Sequence, residues 1–184
     1  MQNLFVTSDT WFNRLLPDDG KMTVLEKNEN IINKWNSTVN PEDIVYVLGG
    51  FGISDLFNIV CRLNGEIHFL NNYVTNDERM FIIDMMESVI ASSDNTILSR
   101  IFLEEDQIMI LGDYDCILSY FQLADWAGKK GGTFCFHGLN GNIDMKDNNI
   151  SCMSSKWKNC PLNVVSIMEQ VKDFKEIYSN SNLG

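Results

Sequence analysis

An α/β fold of two sheets packed face to face, with helices outside them, is what this sequence predicts. Three observations predict it. Up to residue 91, apolar β-prone runs alternate with helical segments in three βαβ-like steps. Over residues 96–154, short strands follow one another with turns between them, as in a mainly antiparallel sheet. A helical stretch over 163–178 then closes the chain. The first half is expected to be mainly parallel, which places any site at the carboxyl ends of its strands.

Each element has its own local reason. Residues 3–8 read as a strand that breaks at Ser8-Asp9-Thr10. Met22, Leu25, Ile31, Ile32 and Trp35 recur at helical spacing over 22–39, and Pro41 ends that helix. Ile44 to Leu48 is a continuous apolar run closed by Gly49-Gly50, the pattern of a buried strand. A short helix over 54–63 takes Ser54 as its N-cap, and the turn Asn64-Gly65 leads to a strand over 66–70. Thr75 or Asn76 caps a helix over 77–91 whose apolar face is Met80, Ile83, Met86, Val89 and Ile90. Strands are expected over 96–103, 107–111 and 115–120, with Gly112-Asp113 as a hairpin turn between the last two. The loop Lys129-Lys130-Gly131-Gly132 precedes a strand over 133–137, and a further strand lies near 149–154.

Composition bounds the functional classes. The 184 residues suit one domain spanning 1–184, with 45% hydrophobic and 21% charged residues. Fourteen basic against twenty-five acidic side chains give a net charge of −11. Such a balance argues against nucleic acid or polyphosphate surfaces and suits solubility or an acidic face for a basic partner. Cys61, Cys116, Cys135, Cys152 and Cys160 are odd in number, scattered and without a C-x-x-C pair, which fits a reduced, cytoplasmic setting. No leader is expected before the first strand, and no apolar run is long enough to span a bilayer, so no membrane association is expected.

The strand ends carry the chemistry. In order they read Ser8-Asp9-Thr10-Trp11, Leu48-Gly49-Gly50-Phe51, Leu70-Asn71-Asn72-Tyr73-Val74, Leu118-Ser119-Tyr120-Phe121 and Phe136-His137-Gly138-Leu139-Asn140-Gly141. This succession resembles the calcineurin-like metallophosphoesterases of the short bacterial and phage type. Those proteins carry Ser-Asp-Thr-His-Phe, Gly-Asp-Phe, Gly-Asn-His-Asp, Leu-Ser-His-Tyr-Pro and His-Gly-His-x-His at the same places. The framework between the motifs is similar too, in "NKWNSTVNPEDIVYVLGGFG", "RLNGEIHFLNN", "ILSYFQLADW" and "SSKWKNCPLNVVSIMEQV". The resemblance covers nearly the whole chain and implies a four-layer α-β-β-α sandwich of two mixed sheets flanked by helices. It also implies, for active members, two divalent cations that clamp a phosphate and activate water.

Carried over residue by residue, that ligand set is mostly lost. Asp9 matches the first aspartate, while Trp11 stands in place of its histidine partner and Gly50 in place of the bridging aspartate. Asn72 matches the asparagine; Tyr73 replaces the catalytic histidine and Val74 the aspartate after it. Tyr120 replaces the ligand histidine after Ser119, and His137 and Gly138 are kept while Leu139 and Gly141 occupy the last two histidine positions. Two oxygen donors on separate strands do not hold a binuclear centre. No catalytic residue, metal or cofactor is therefore expected, and no metallophosphoesterase activity. The replacements are bulky, as though filling a vacated cavity. Asp9, left without a cation, is expected to be hydrogen-bonded or to titrate high; the candidate donors are the amides of 10–12, Asn72, a tyrosine hydroxyl and Arg14.

Plainer roles compete at each position. Asp9 and Asn72 suit turns that follow strands. His68 reads as a packed or surface residue, His137 as a structural one, and Asp113 and Asp115 as turn residues. Met80, Met85 and Met86 share one helix and read mostly as core, and Cys116 and Cys135 as inert buried thiols. Three functional classes remain. The first is a pseudoenzyme that binds another protein, in keeping with a phage-encoded inhibitor of a host system. The second is a sponge that holds a nucleotide or cyclic nucleotide without cleaving it, using Arg14, Asn72, Lys129 and Lys130. A rebuilt phosphoesterase ranks last. The bulky replacements and the acidic charge favour the protein partner.

Overall fold

The computed structural model describes residues 2–72, 75–92, 94–138 and 148–181. In chain order the elements are β1 Leu4–Thr7, α1 Val24–Thr38, β2 Ile44–Val47, α2 Leu56–Val60, β3 Glu66–Phe69, α3 Asn76–Ala91 and α4 Asn95–Leu98. There follow β4 Ile101–Leu103, β5 Ile108–Leu111, β6 Cys116–Ser119, β7 Phe134–His137, β8 Asn149–Ser151, β9 Leu162–Asn163 and α5 Val164–Ser181. Among the described residues, no helix is long and apolar enough to cross a membrane.

Two mixed sheets result. The first has the order β4-β3-β2-β1-β9, parallel throughout except for β9 against β1. The second has the order β5-β6-β7-β8. Its expected antiparallel character is confined to β5–β6, because β6–β7 and β7–β8 are parallel. Parallel pairing needs a crossover, and the long connection from β6 to β7 provides one without containing an α-helix.

Side-chain alternation along the first sheet sorts the core into two layers. Phe5, Val45, Val47, Ile67, Phe69 and Ile101 face Ile31, Ile32 and Trp35 of α1 and Ile82, Met85 and Val89 of α3. Leu4, Val6, Tyr46, Leu48 and Leu70 face the other way and join Leu118, Phe134, Phe136 and Ile150 of the second sheet. Val164, Ile167, Met168 and Val171 of α5 belong to this same cluster between the sheets. On the far face of the second sheet, Ile117 and Cys135 pack with Trp126 and Leu123 from the crossover, and no helical residue is part of that cluster. Burial lifts the thiol of Cys116 to about 12 and that of Cys135 to about 11, which keeps both unreactive.

Several local expectations give way to tertiary demands. Residues 95–98 form α4 rather than the start of a strand, because Asp94 caps them by accepting from the Thr96 N–H at 2.9 Å. Ser54 does not cap α2; the residue before that helix is Asp55, and both have positive φ. Leu25, Met80 and Ile90 are exposed, whereas Lys27, Asn28 and Glu78 are buried on the helix faces nearer the site. The expected Ile31, Ile32, Trp35 and Val89 are in the core, and the difference is confined to the turns where polar side chains are buried. Lys27 Nζ donates to Arg14 O at 2.8 Å and pairs with Asp19 at 2.9 Å, tying down the loop after β1.

Candidate functional site

Both sheets direct their carboxyl ends to one place. The chain after β1 runs alongside the chain after β2: Asp9 N–H donates to Gly49 O at 2.9 Å, Trp11 N–H to Gly50 O at 2.9 Å and Phe12 N–H to Phe51 O at 2.8 Å. Asp9, Trp11 and Asn13 all take positive φ, at 53°, 47° and 61°. Non-glycine residues adopt that conformation at a cost of about 1 kcal/mol or more each, so the surrounding bonds must hold it in place. From the second sheet, Ser8 N–H donates to Cys152 O at 3.2 Å and Ser8 Oγ to Gly138 O at 3.1 Å.

Asp9 lies at the centre and is 8% exposed. Ser8 Oγ donates to its Oδ2 at 3.1 Å and the Tyr120 hydroxyl to its Oδ1 at 3.3 Å. Burial raises its pKa from 3.8 to about 6, against the lowering effect of hydrogen bonds from Ser8 and Tyr120, and the charge of Glu78 raises it further. Of the expected donors the Tyr120 hydroxyl reaches Asp9, and the Trp11 side chain, which was not among them, also hydrogen-bonds it. The amides of Trp11 and Phe12 go to the neighbouring loop, the Asn72 amide donates to Gln107 O at 2.7 Å, and the Arg14 guanidinium lies 4.8 Å from the centre of the Trp11 ring.

Gly50 makes this arrangement possible. Its φ is 66°, and a Cβ there would fall on Asp9 Oδ1 and lie 2.8 Å from Asp9 Cα. The Tyr120 ring is clasped in a similar way. A Cβ on Gly49 would lie 2.7 Å from Tyr120 Cδ2, and one on Gly138 would lie 2.8 Å from Tyr120 Cε2. Tyr120 is buried, and its hydroxyl is pushed above the ordinary tyrosine range by that burial and by the charge of Asp9. Trp11 is buried as well, at 7% exposure.

The structure therefore brings Asp9, Gly50 and Tyr120 into contact and sets Ser8 and Gly138 against them. His137 ends β7 fully buried, and its carbonyl accepts from the Cys152 N–H at 2.7 Å. Tyr73, Val74, Leu139 and Gly141 lie outside the described residues. Lys129 and Lys130 do not join the site. Their turn precedes the first residue of β7, whereas Gly138 follows its last, so they sit at the opposite end of the second sheet. Lys129 Nζ donates to Ala124 O at 3.0 Å and lies 4.5 Å from the centre of the Trp126 ring, which occupies it within its own loop.

Glu78 was missed by sequence reasoning. It is buried, and its Oε1 accepts from the Phe51 N–H at 2.7 Å, fixing the loop after β2. Thr75 Oγ1 accepts from the Glu78 N–H at 3.1 Å as the α3 cap. The Thr-x-x-Glu spacing marks a helix start, but the reach of Glu78 to another loop is tertiary and leaves no local trace. Beside Tyr120 opens a cleft of about 500 Å³ whose walls include Asn71, Asn72, Asn76, Arg79, Gln107 and Phe121. Asn72 Oδ1 is buried without a hydrogen-bond partner.

Among the described residues, no group of three or more His, Cys, Asp or Glu side chains is arranged to hold a metal ion. No protein-family model matches the chain. No curated protein matches it in sequence. Its fold is similar to that in the crystal structure of a protein of unknown function from Aquifex aeolicus, with a TM-score of 0.60 at 14% identity. That likeness covers 92% of this chain and 100% of the other.

Proposed function

We propose that this chain is a calcineurin-like metallophosphoesterase scaffold that has lost its dinuclear centre and serves as a binding protein for another protein. The observation that carries the reading is the filling of the strand-end pocket. The carboxylate of Asp9 takes the space that any side chain at position 50 would need, and Tyr120 is wedged between Gly49 and Gly138. The residues present do not fit two cations. Gly50 offers no oxygen to bridge them, Asp9 is held by Ser8 and Tyr120, and the Oε1 of Glu78 is committed to Phe51. Buried beside Ser8 and Tyr120, the carboxylate of Asp9 already has hydrogen-bond partners for both of its oxygens. The acidic balance and the exposed apolar residues Ile108, Ile110, Phe102 and Phe121 favour a protein partner.

Turnover of bis(p-nitrophenyl) phosphate with Mn²⁺ or Mg²⁺ tests the loss of chemistry. The wild-type rate is expected to equal that of Asp9→Ala; metal-dependent turnover abolished by that substitution would sink the reading. Isolation from the native host followed by mass spectrometry tests the binding role, with a stoichiometric protein partner expected.

A second reading has one observation in its favour, the polar cleft that runs from Asn72 past Arg79 to Phe121. One cation, several amides and an aromatic face are the groups that would hold a nucleotide without cleaving it. Calorimetric titration with a nucleotide panel separates the two readings, since a stoichiometric heat for any nucleotide supports the second.

A further inference from the structure

The second sheet has a bare edge. Among the described residues β6 is the only neighbour of β5, and no other described strand pairs with the far side of Ile108–Leu111. Such an edge is ordinarily blunted by a lysine, a proline, a bulge or a covering loop. Gln107-Ile108-Met109-Ile110-Leu111 contains neither a charge nor a proline, and Ile108 and Ile110 are 46% and 68% exposed. Their register opposite Ser119 and Ile117 places both on the outer face, next to the Ile117 cluster that Trp126 covers.

The edge is also held in place. The segment between β4 and β5 is fastened to the end of β3 and the residues after it. Glu104 N–H donates to Phe69 O at 2.8 Å, Asn71 N–H to Asp106 O at 3.1 Å, and Asn71 and Asn72 amides to Glu105 O and Gln107 O at 3.1 and 2.7 Å. A strand fixed in this way loses little freedom when another strand pairs with it.

Charge selects the occupant. Between Arg100 and Lys129 there is no basic residue, while Glu104, Glu105 and Asp106 precede β5 and Asp113 and Asp115 follow it. A second copy would have to pair antiparallel about a two-fold axis. Such a pairing brings the acidic residues before β5 of one copy, Glu104, Glu105 and Asp106, towards Asp113 and Asp115 after β5 of the other. Like charges gathered in this way oppose self-association. A strand with apolar residues in its middle and Lys or Arg at both ends meets the same edge with every charge complemented.

We propose that β5 is the docking edge for an extended segment of a partner protein, apolar at alternate positions and flanked by basic residues, which adds to the second sheet as a further strand. The proposal rests on the protein-binding reading and names the surface that does the binding.

The test uses the full chain and a labelled peptide of alternating valine and threonine with two arginines at each end. Saturable one-to-one binding is expected, together with slowed amide exchange at residues 108–111. An otherwise identical peptide ending in glutamates should bind at least about tenfold more weakly, and Ile110→Lys should weaken the arginine peptide by at least about tenfold. Equal binding by a sequence-scrambled peptide of the same charge overturns the proposal, as does unchanged affinity in Ile110→Lys. A dimer in sedimentation that Ile110→Lys dissolves overturns it too, because a second copy then holds the edge. A partner isolated from the host that still binds Ile110→Lys refutes the β5 assignment while leaving the protein-binding reading intact.

Discussion

The two sheets bury themselves in different ways. The first is packed by α1 and α3 on one side and by the second sheet on the other, so β1 and β2 read as nearly unbroken apolar runs, while β3 sets Glu66 and His68 between its apolar residues. The second shares one face with the first, while on its outer face, among the described residues, Leu123 and Trp126 pack over Ile117 and Cys135. At its edge Ile108 and Ile110 face outward. The contrast separates two kinds of constraint. Residues of the first sheet and its loops answer to packing and to backbone strain, whereas the margin of the second sheet is left available for contact.

Substitutions can break or sharpen that contrast, and the largest effect belongs to the first sheet's loop. Gly50→Asp forces a side chain onto Asp9 at φ 66°. A loss of about 3–5 kcal/mol is expected in urea unfolding, with no gain of phosphoesterase activity.

Asp9→Asn comes next and depends on pH. The carboxyl titrates near 6 when folded and near 3.8 when free. Between those values the folded chain keeps a proton that the unfolded chain has released. The stability this supplies is complete below about pH 4 and is lost as the pH rises through 6. Asparagine accepts the positive φ at this position and stays neutral, so the variant should match wild type at pH 4 and exceed it at pH 8, by up to about 3 kcal/mol. Thermal unfolding at the two pH values measures this; an equal difference at both would show that ionisation is not the cause.

Thr75→Ala removes the cap of α3 and loosens the helix that presents Glu78 to Phe51. Calorimetry should register a destabilisation of about 1 kcal/mol. The smallest effect is expected at the margin of the second sheet. Ile110→Lys should leave stability within about 0.5 kcal/mol of wild type, because the side chain is already largely in solvent. A large loss there would mean that the edge is packed in solution and would erase the contrast.

Much of the first half was legible in the sequence because burial on both faces leaves a plain signal. The runs that became β1, β2 and β3, the Thr75 cap and the gathering of strand ends all have local causes. The buried faces of α1 and α3 were legible at Ile31, Ile32, Trp35 and Val89 but not at their site-facing turns. Hydrophobic spacing pointed to Leu25, Met80 and Ile90, but Lys27, Asn28 and Glu78 turned inward to satisfy loops that are distant in sequence. The direction of β7 was hidden for a related reason, since the β6–β7 crossover contains no α-helix and has the same local composition as a long hairpin loop. At the site, Asp9 and Tyr120 were foreseeable as neighbours. The misplacement of Lys129 and Lys130 came from judging a loop by its charge rather than by the end of the strand it serves.

Asp9, Gly50 and Tyr120 also constrain the paths by which this pocket can change. A carboxylate at 50 is blocked until residue 9 swings aside, and residue 9 is held by the hydroxyls of Ser8 and Tyr120. Shrinking Tyr120 first removes the ring that Gly49 and Gly138 clasp and the hydroxyl that holds Asp9. A carboxylate at 50 alone or a smaller side chain at 120 alone therefore leads through a damaged molecule, whereas Asp9→Asn alone keeps the niche and removes only its charge. Accessible routes require positions 9, 50 and 120 to vary together, which makes the filled pocket a ratchet in sequence space.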